Sequence, residues 1–465
     1  MATQSDKNRL AMKVTLCGMV LGAAVSLSLP RASAQDQPDP VREYVDAQLQ
    51  WRLIPGLSLA VARGGRLIRE EVFGVANRES GDSVRVSTVF QLGSVGKQFT
   101  AAAIMLLAED GRIRLDDSVR AYIHGAPASW KRVTVRHLLT HTSGLGNYVS
   151  AVPDLSKEFT SPELVALIAS QPLEFAPGAK FRYSNSGYLL LGLVVEAISG
   201  EHLADFLSRR FFTPLGMAAT GVTGRTDWPA LGAAGYRIVD GIPVRAPAVS
   251  RSLNSTGDGT VYSTLADLLK WDAALYGDHP LSRANRAAMW SPARLSDGTL
   301  SQYGFGWGLA NVHGHRVVEH GGQWQGFAAH LARYLDDSIT VVVLMNATGL
   351  GNISGQIANR VAQYYIPPLR DEAWPRPASM AVDTATLDSY TGEFRIVNST
   401  IRIWREGSQL LVSTTGRGTA RLVPISPTEF TILVDRVRFR FSAQRGRKPD
   451  LYVRGAKEQM ATRLR

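Results

Sequence analysis

Ser94 and Lys97 stand three residues apart in "GSVGKQFTAAAIMLLA", and no other serine of the chain has a lysine at that offset. Residues at this spacing share one face of a helix. A lysine pressed into an apolar site is driven toward its neutral amine, which can take the proton of a neighbouring hydroxyl and make it a nucleophile. The N-terminus of the same helix would add a positive field for the anion that develops. The alternative is a capping serine beside a surface lysine, and the pair alone does not separate the two.

Two further stretches carry groups that fit the first. In "PGAKFRYSNSGYLLLG", Tyr183-Ser184-Asn185 precedes an apolar helical run. A phenol beside a protonated lysine is expected to titrate below its usual value of about 10 and to shuttle protons. Asn185 is of a type that can both hold the lysine and hydrogen-bond a substrate amide, although Asn and Ser are also ordinary turn residues. In "VVEHGGQWQGFAAHL", His320-Gly321-Gly322 lies between strand-like runs, and glycines there let a backbone approach a bound substrate closely. The N–H groups of Gln323 and Ser94 are expected to point at one carbonyl oxygen as an oxyanion pair.

Histidines raise a separate question. "VRHLLTHTSGL" puts His137 and His141 four apart, which is half of a zinc-protease pattern. That pattern places a glutamate after the first histidine, where this chain has Leu138, and no third ligand is suggested nearby. His313, His315 and His320 have strand-like spacing, of which only His320 is assigned to the site. No metal and no other cofactor is expected.

The elements that must carry these residues follow from periodicity. "GLSLAVARGGRLIREEVFGVAN" reads as two apolar strands around Gly64-Gly65, a hairpin signal. Residues 94–108 are almost free of breakers and stop at Asp110-Gly111, which predicts a buried helix with a glycine end. The stretch from about 115 to 290 alternates helical patterns with turn clusters. Strand-like segments return at "YGFGWGLANV" and "AAHLARYLDDSITVVVLMN", so one sheet should be built from N- and C-terminal parts.

Together, "FQLGSVGKQFTAAAIMLLAEDGRIRLDDSV", "LLTHTSGL", "FAPGAKFRYSNSGYLLLGLVVEAISG", "PLGM" and "HGG" followed by Gly326-Phe327 resemble the β-lactamase-related serine hydrolases. These include class C β-lactamases, D-alanyl-D-alanine carboxypeptidases, D-aminopeptidases and related esterases. The resemblance covers about residues 40 to 365. It implies an α/β (α+β) domain with an antiparallel sheet flanked by helices and a helical subdomain. It also implies that Ser94 is acylated, that Lys97 and Tyr183 handle protons, and that Asn185 with His320, Gly321 and Gly322 completes the cleft. "HLLTHTSGL" then looks like structural support near that cleft and not a metal site. Where class C β-lactamases carry Lys-Thr-Gly, this chain has His320-Gly321-Gly322, so a titratable imidazole replaces a fixed cation. Amides of D-amino-acid-containing peptides therefore rank first as substrates, small esters second and β-lactams third, with His320 or Tyr183 protonating the leaving group. A non-catalytic protein binding peptidoglycan fragments or β-lactams through the same cleft is the reading from a different class.

The flanks differ from this central part. Residues 1–34 place Lys7, Arg9 and Lys13 before a 16-residue apolar run, then Pro30 and Ala32-Ser33-Ala34. That order is a secretory signal peptide cut after Ala34, which predicts a periplasmic or secreted protein without a transmembrane anchor. The only cysteine, Cys17, lies inside it. Residues 366–380 are rich in proline and alanine and read as a linker. From 381 to 465 the pattern has period two, with Val437, Phe439 and Phe441 alternating with Arg436, Arg438 and Arg440, which predicts a small antiparallel barrel. It looks like the lipocalin-like barrel found in several peptidase-like members. Its fifteen basic and eight acidic residues supply +7 of the chain's net +11. Acidic envelope polymers are the partner such a module would take, a solvated barrel exterior being the alternative, and nucleic acid is not expected.

Overall fold

The computed structural model describes residues 39–370, 380–435, 437–444, 447–455 and 457–464. The expected signal peptide and most of the expected linker lie outside them. No helix of the described residues is long and apolar enough to cross a membrane.

The chain opens with helix α1 (Pro40–Arg52) and the hairpin β1 (Gly56–Arg63) and β2 (Arg66–Gly74). Gly64 and Gly65 turn it at φ +57° and +75°, the left-handed pair that a two-residue hairpin loop requires. Four later strands complete the sheet: β3 (Gly308–Val312), β4 (His315–Trp324), β5 (Phe327–Tyr334) and β6 (Ile339–Met345). Their order is β2-β1-β6-β5-β4-β3, antiparallel throughout, so the first hairpin pairs with the last strand, Leu59 opposite Val343. N- and C-terminal parts thus share one sheet, as the strand-like runs predicted.

Both faces of the central strands are buried, which is why β1 and β6 are nearly continuous apolar runs. Leu57, Leu59, Val61, Val341 and Val343 face one way, into a core shared with α1 and the helix Ile353–Tyr365. Ala60, Ala62, Val342 and Leu344 face the other, into the larger core that surrounds helix α2 (Lys97–Glu109). In α2 every residue from Lys97 to Leu107 is buried, so it packs on all sides. The predicted helix over 94–108 begins later than expected: residues Gly93–Gly96 form a 3₁₀ turn, entered through Gly93 at φ +54°, and the α-helix starts at Lys97.

The C-terminal part is a closed barrel of eight antiparallel strands, each paired with its neighbour in sequence, from Gly392–Ile396 to Glu458–Arg463. Phe394 opposite Arg463 closes it. Phe439 and Phe441 point inward, while Arg438 and Arg440 reach outward to Glu429 and Glu458. Arg436 lies outside the described residues. Tyr390, from a short helix at Thr384–Tyr390, stacks on Phe441 with ring centroids 4.1 Å apart. α1 is seated against this barrel. Trp51 is buried within the barrel's apolar cluster, Gln48 Nε2 donates to Val434 O at 3.1 Å, and Arg52 pairs with Asp435 at 2.6 Å. Period-two alternation marks the barrel as a separate unit and carries no sign of this seam.

Candidate active site

Ser94 sits on the 3₁₀ turn and Lys97 is the first residue of α2, so the turn places both side chains at the helix N-terminus. Lys97 is fully buried, and its Nζ lies 3.0 Å from Ser94 Oγ and 2.8 Å from Asn185 Oδ1. A third contact is to the main-chain carbonyl of Asp258. Asn185 Oδ1 and that carbonyl can only accept, so each takes one N–H of the lysine. The direction left over faces Ser94. It holds either a third proton or, in the neutral amine, the lone pair that would receive the serine proton. Burial lowers Lys97 from its ordinary value to about 8, with the Asp258 charge opposing, so the amine is accessible near neutral pH.

Asn185 opens helix α3 (Asn185–Ser199), whose apolar run fixes it against the core. Tyr183, two residues earlier, packs against His141 with ring centroids 4.2 Å apart and planes tilted by 36°, and Lys97 Nζ lies 5.0 Å from the Tyr183 ring. The expectation that the lysine would lower the phenol is corrected. Desolvation raises Tyr183 above its usual value, and the neighbouring Ser94 side chain lowers it by less. Tyr183 as a whole residue is 37% exposed, yet it is the desolvation of its titrating group that dominates. Tyr183 is therefore held as a neutral phenol and not as a phenolate.

His320, Gly321 and Gly322 lie inside strand β4 and not between strands. A Cβ at Gly322 would sit 2.7 Å from Ser94 N and against Leu92 O, and one at Gly93 would sit 2.6 Å from Gln323 N. Only glycine at both positions lets β4 approach the Ser94 turn this closely, which brings the two expected oxyanion donors to one seam. His320 does not supply a titratable charge. Its Nδ1 is 2.6 Å from Gly321 O and its Nε2 is 2.8 Å from Tyr303 OH. A carbonyl only accepts, so Nδ1 carries the hydrogen and Nε2 accepts from Tyr303. Burial, with the Lys97 charge second, lowers His320 to about 3, so the ring is neutral and has no proton free for a leaving group.

The remaining histidines separate. His137 Nδ1 accepts from Thr134 N as part of a capping box, whereas His141 Nδ1 accepts from Ser184 N and its ring backs Tyr183. His315 pairs with Asp337. Among the described residues no group of three His, Cys, Asp or Glu side chains could hold a metal.

Two participants had not been singled out from sequence. Tyr303 orients His320, and Asp258 lines the cleft beside Ser94, Asn185, Gln323 and Trp324. Asp258 stands in "STGDGT", a turn-like run in which a single acid carries no periodic signal.

The sequence matches the family described as "Beta-lactamase" over residues 41–364. The chain belongs to the β-lactamase family. The penicillin-binding protein 4* of Bacillus subtilis (strain 168) is 31% identical, the match covering 86% of this chain and 94% of that one. A D-aminopeptidase of Brucella anthropi is 27% identical over 63% of this chain, and the match spans only 56% of that protein. Among solved structures, the octameric penicillin-binding protein homologue from Pyrococcus abyssi superposes with a TM-score of 0.64 at 22% identity, covering 91% of this chain and 97% of that one. This last likeness is one of fold. This member of the β-lactamase family is a serine hydrolase, as its relatives are.

Proposed function

We propose that the chain hydrolyses amide bonds of D-amino-acid-containing peptides or related small amides through an acyl-enzyme on Ser94. The observation that carries this reading is the lysine whose two fixed acceptors leave its third direction on Ser94 Oγ. In acylation the neutral Lys97 takes the hydroxyl proton as Oγ attacks the carbonyl carbon, and the Ser94 and Gln323 N–H groups hold the oxyanion. The proton then passes from Lys97, through the Tyr183 phenol, to the leaving nitrogen as the C–N bond breaks. Water enters, gives a proton back along the same route, and displaces Ser94 to release the acid. Asn185 holds Lys97, while Gly321 and Gly322 keep the strand close; His320 shapes the cleft from its place between Tyr303 and Gly321.

Carboxyl esters are the second reading. An alkoxide or phenoxide leaves with less need of a proton than an amine, and a His320 with both nitrogens engaged favours such substrates. Release to the periplasm or the exterior after removal of residues 1–34 fits a cell-wall-derived peptide substrate. The basic barrel suits docking on acidic envelope polymers. The test is a panel of D- and L-aminoacyl p-nitroanilides, p-nitrophenyl esters and nitrocefin, assayed with the wild type and Ser94→Ala. D-aminoacyl anilides should give the highest kcat/KM, abolished in Ser94→Ala. Turnover confined to nitrocefin, or retained without Ser94, contradicts the reading.

A further inference from the structure

A groove of about 930 Å³ runs along the edge of the sheet, between strands β3 to β5 and the helix Arg283–Met289. That is the size of a small-molecule site. None of the residues that line it lines the cleft at Ser94. Four arginines stand in its wall, Arg283, Arg286, Arg316 and Arg333, and no described acidic side chain does.

Arg333, on β5, is only 2% exposed. Its Nε lies 2.8 Å from Oδ1 of Asp272, which is wholly buried, but no protein group accepts from its Nη1. Two rings flank the guanidinium, with the Tyr276 centroid 4.6 Å and the Trp290 centroid 5.2 Å from Cζ. The indole Nε1 of Trp290 has no protein acceptor either. Buried donors left without acceptors are costly, and few are tolerated without a reason. The other arginines add to this surplus of donors. Arg283 is exposed and pairs with no described acid, while Asp278 and Asp336, which hold Arg286 and Arg316, stand outside the wall and in solvent, where such pairs are weak. Much of the remaining wall is apolar, including Leu309, Val318 and Leu335, and Leu300 is left 53% exposed.

We propose that this groove is a second ligand site, which takes a small organic carboxylate with an aromatic body. A carboxylate brings the anionic acceptors that the wall lacks, and its two oxygens match the planar fork of a guanidinium. An aromatic body suits the rings of Tyr276 and Trp290 and the apolar side chains beside them. A cationic ligand would meet four like charges, and a wholly apolar one would leave the donors unpaired. The site owes nothing to the hydrolase reading: no step involves Ser94, and the ligand binds without any bond being broken.

The experiment is calorimetric titration of the full chain with 3-phenylpropanoate and with its neutral amide, 3-phenylpropanamide. Ser94→Ala serves as the background, so that the amide is not turned over. Two further substitutions are added to it singly. Arg333→Lys keeps a charge opposite Asp272 and removes the fork, and Ala287→Trp fills the groove from an exposed helix position. The carboxylate should bind at least about tenfold more tightly than the amide, as one charge-assisted hydrogen bond provides. Arg333→Lys should cost the carboxylate about tenfold and leave the amide unchanged, and Ala287→Trp should abolish binding of both. Circular dichroism establishes that each variant is folded; Ala287→Trp removes no buried group, so it decides the matter should Arg333→Lys unfold. Absence of carboxylate binding at millimolar concentration, equal affinity for acid and amide, or carboxylate binding unchanged in either folded variant overturns the proposal.

Discussion

The hydroxyl of Tyr303 lies 2.8 Å from Nε2 of His320, and the opposite ring nitrogen of that histidine is committed to Gly321 O. A histidine held this way is a fixed neutral dipole. Burial places its titration at about 3, so kcat/KM should show no inflection near the ordinary histidine value of about 6.5. Tyr303→Phe removes one hydrogen bond and leaves a buried acceptor unpaired, which should cost about tenfold in kcat/KM. A pH–rate profile on the wild type and this variant checks both statements; an inflection near 6.5 that vanishes in His320→Gln would show the imidazole titrating.

Lys97 gives the opposite expectation. Its base form is required, and its folded value is lowered to about 8, so kcat/KM should rise about tenfold per pH unit below that point and level off above it. The sign follows from the role: protonation at lower pH removes the lone pair that faces Ser94. A profile that falls as pH rises through 8 would assign the lysine an acid's part.

Tyr183→Phe should lower kcat by about 10² to 10⁴, the usual contribution of a positioned proton relay, while leaving the fold intact because the ring still packs on His141. Steady-state kinetics beside a circular dichroism spectrum measures this. A loss under threefold would remove the phenol from the proton route.

Gly322→Ala should be more damaging than its one carbon suggests. The new Cβ would press on Leu92 O and lie 2.7 Å from Ser94 N, forcing β4 away from the oxyanion seam. Loss of one oxyanion donor costs about 10² to 10³ in kcat, and the variant should fall at least that far. Near-normal turnover would mean the oxyanion is held elsewhere.

At the other end of the chain, Trp51→Ala withdraws a buried indole from the barrel's apolar cluster. Such truncations cost about 3–5 kcal/mol. The variant should unfold at lower urea concentration, while Ser94 labelling in the folded range stays within roughly twofold because Trp51 is remote from the site in the fold. An unchanged midpoint would show that the seam between α1 and the barrel contributes nothing.

Much of this architecture could be read from residues. The hairpin at Gly64-Gly65, the all-round apolar α2 and the alternation around Phe439 and Phe441 are local patterns whose periods fix their geometry. Ser94, Lys97 and Asn185 were legible because each type has a chemical reason to occur beside the others. What escaped depends on contacts between distant segments. Asp258 reaches the cleft through a loop with no period, Tyr303 is recognised only by the histidine it holds, and Trp51 joins the barrel core from a helix more than 300 residues earlier in the chain. The Tyr183 error has the same origin: a neighbouring lysine is visible in the chain, but the desolvation that outweighs it arises only once the fold closes.

The most direct test of the central claim is the intact mass and peptide map of the protein after exposure to a fluorophosphonate across a pH series. The account predicts a single adduct on Ser94, forming faster as pH rises toward about 8 and absent from Ser94→Ala. A catalytically active sample whose Ser94 stays unmodified, or whose adduct lies on another residue, contradicts it.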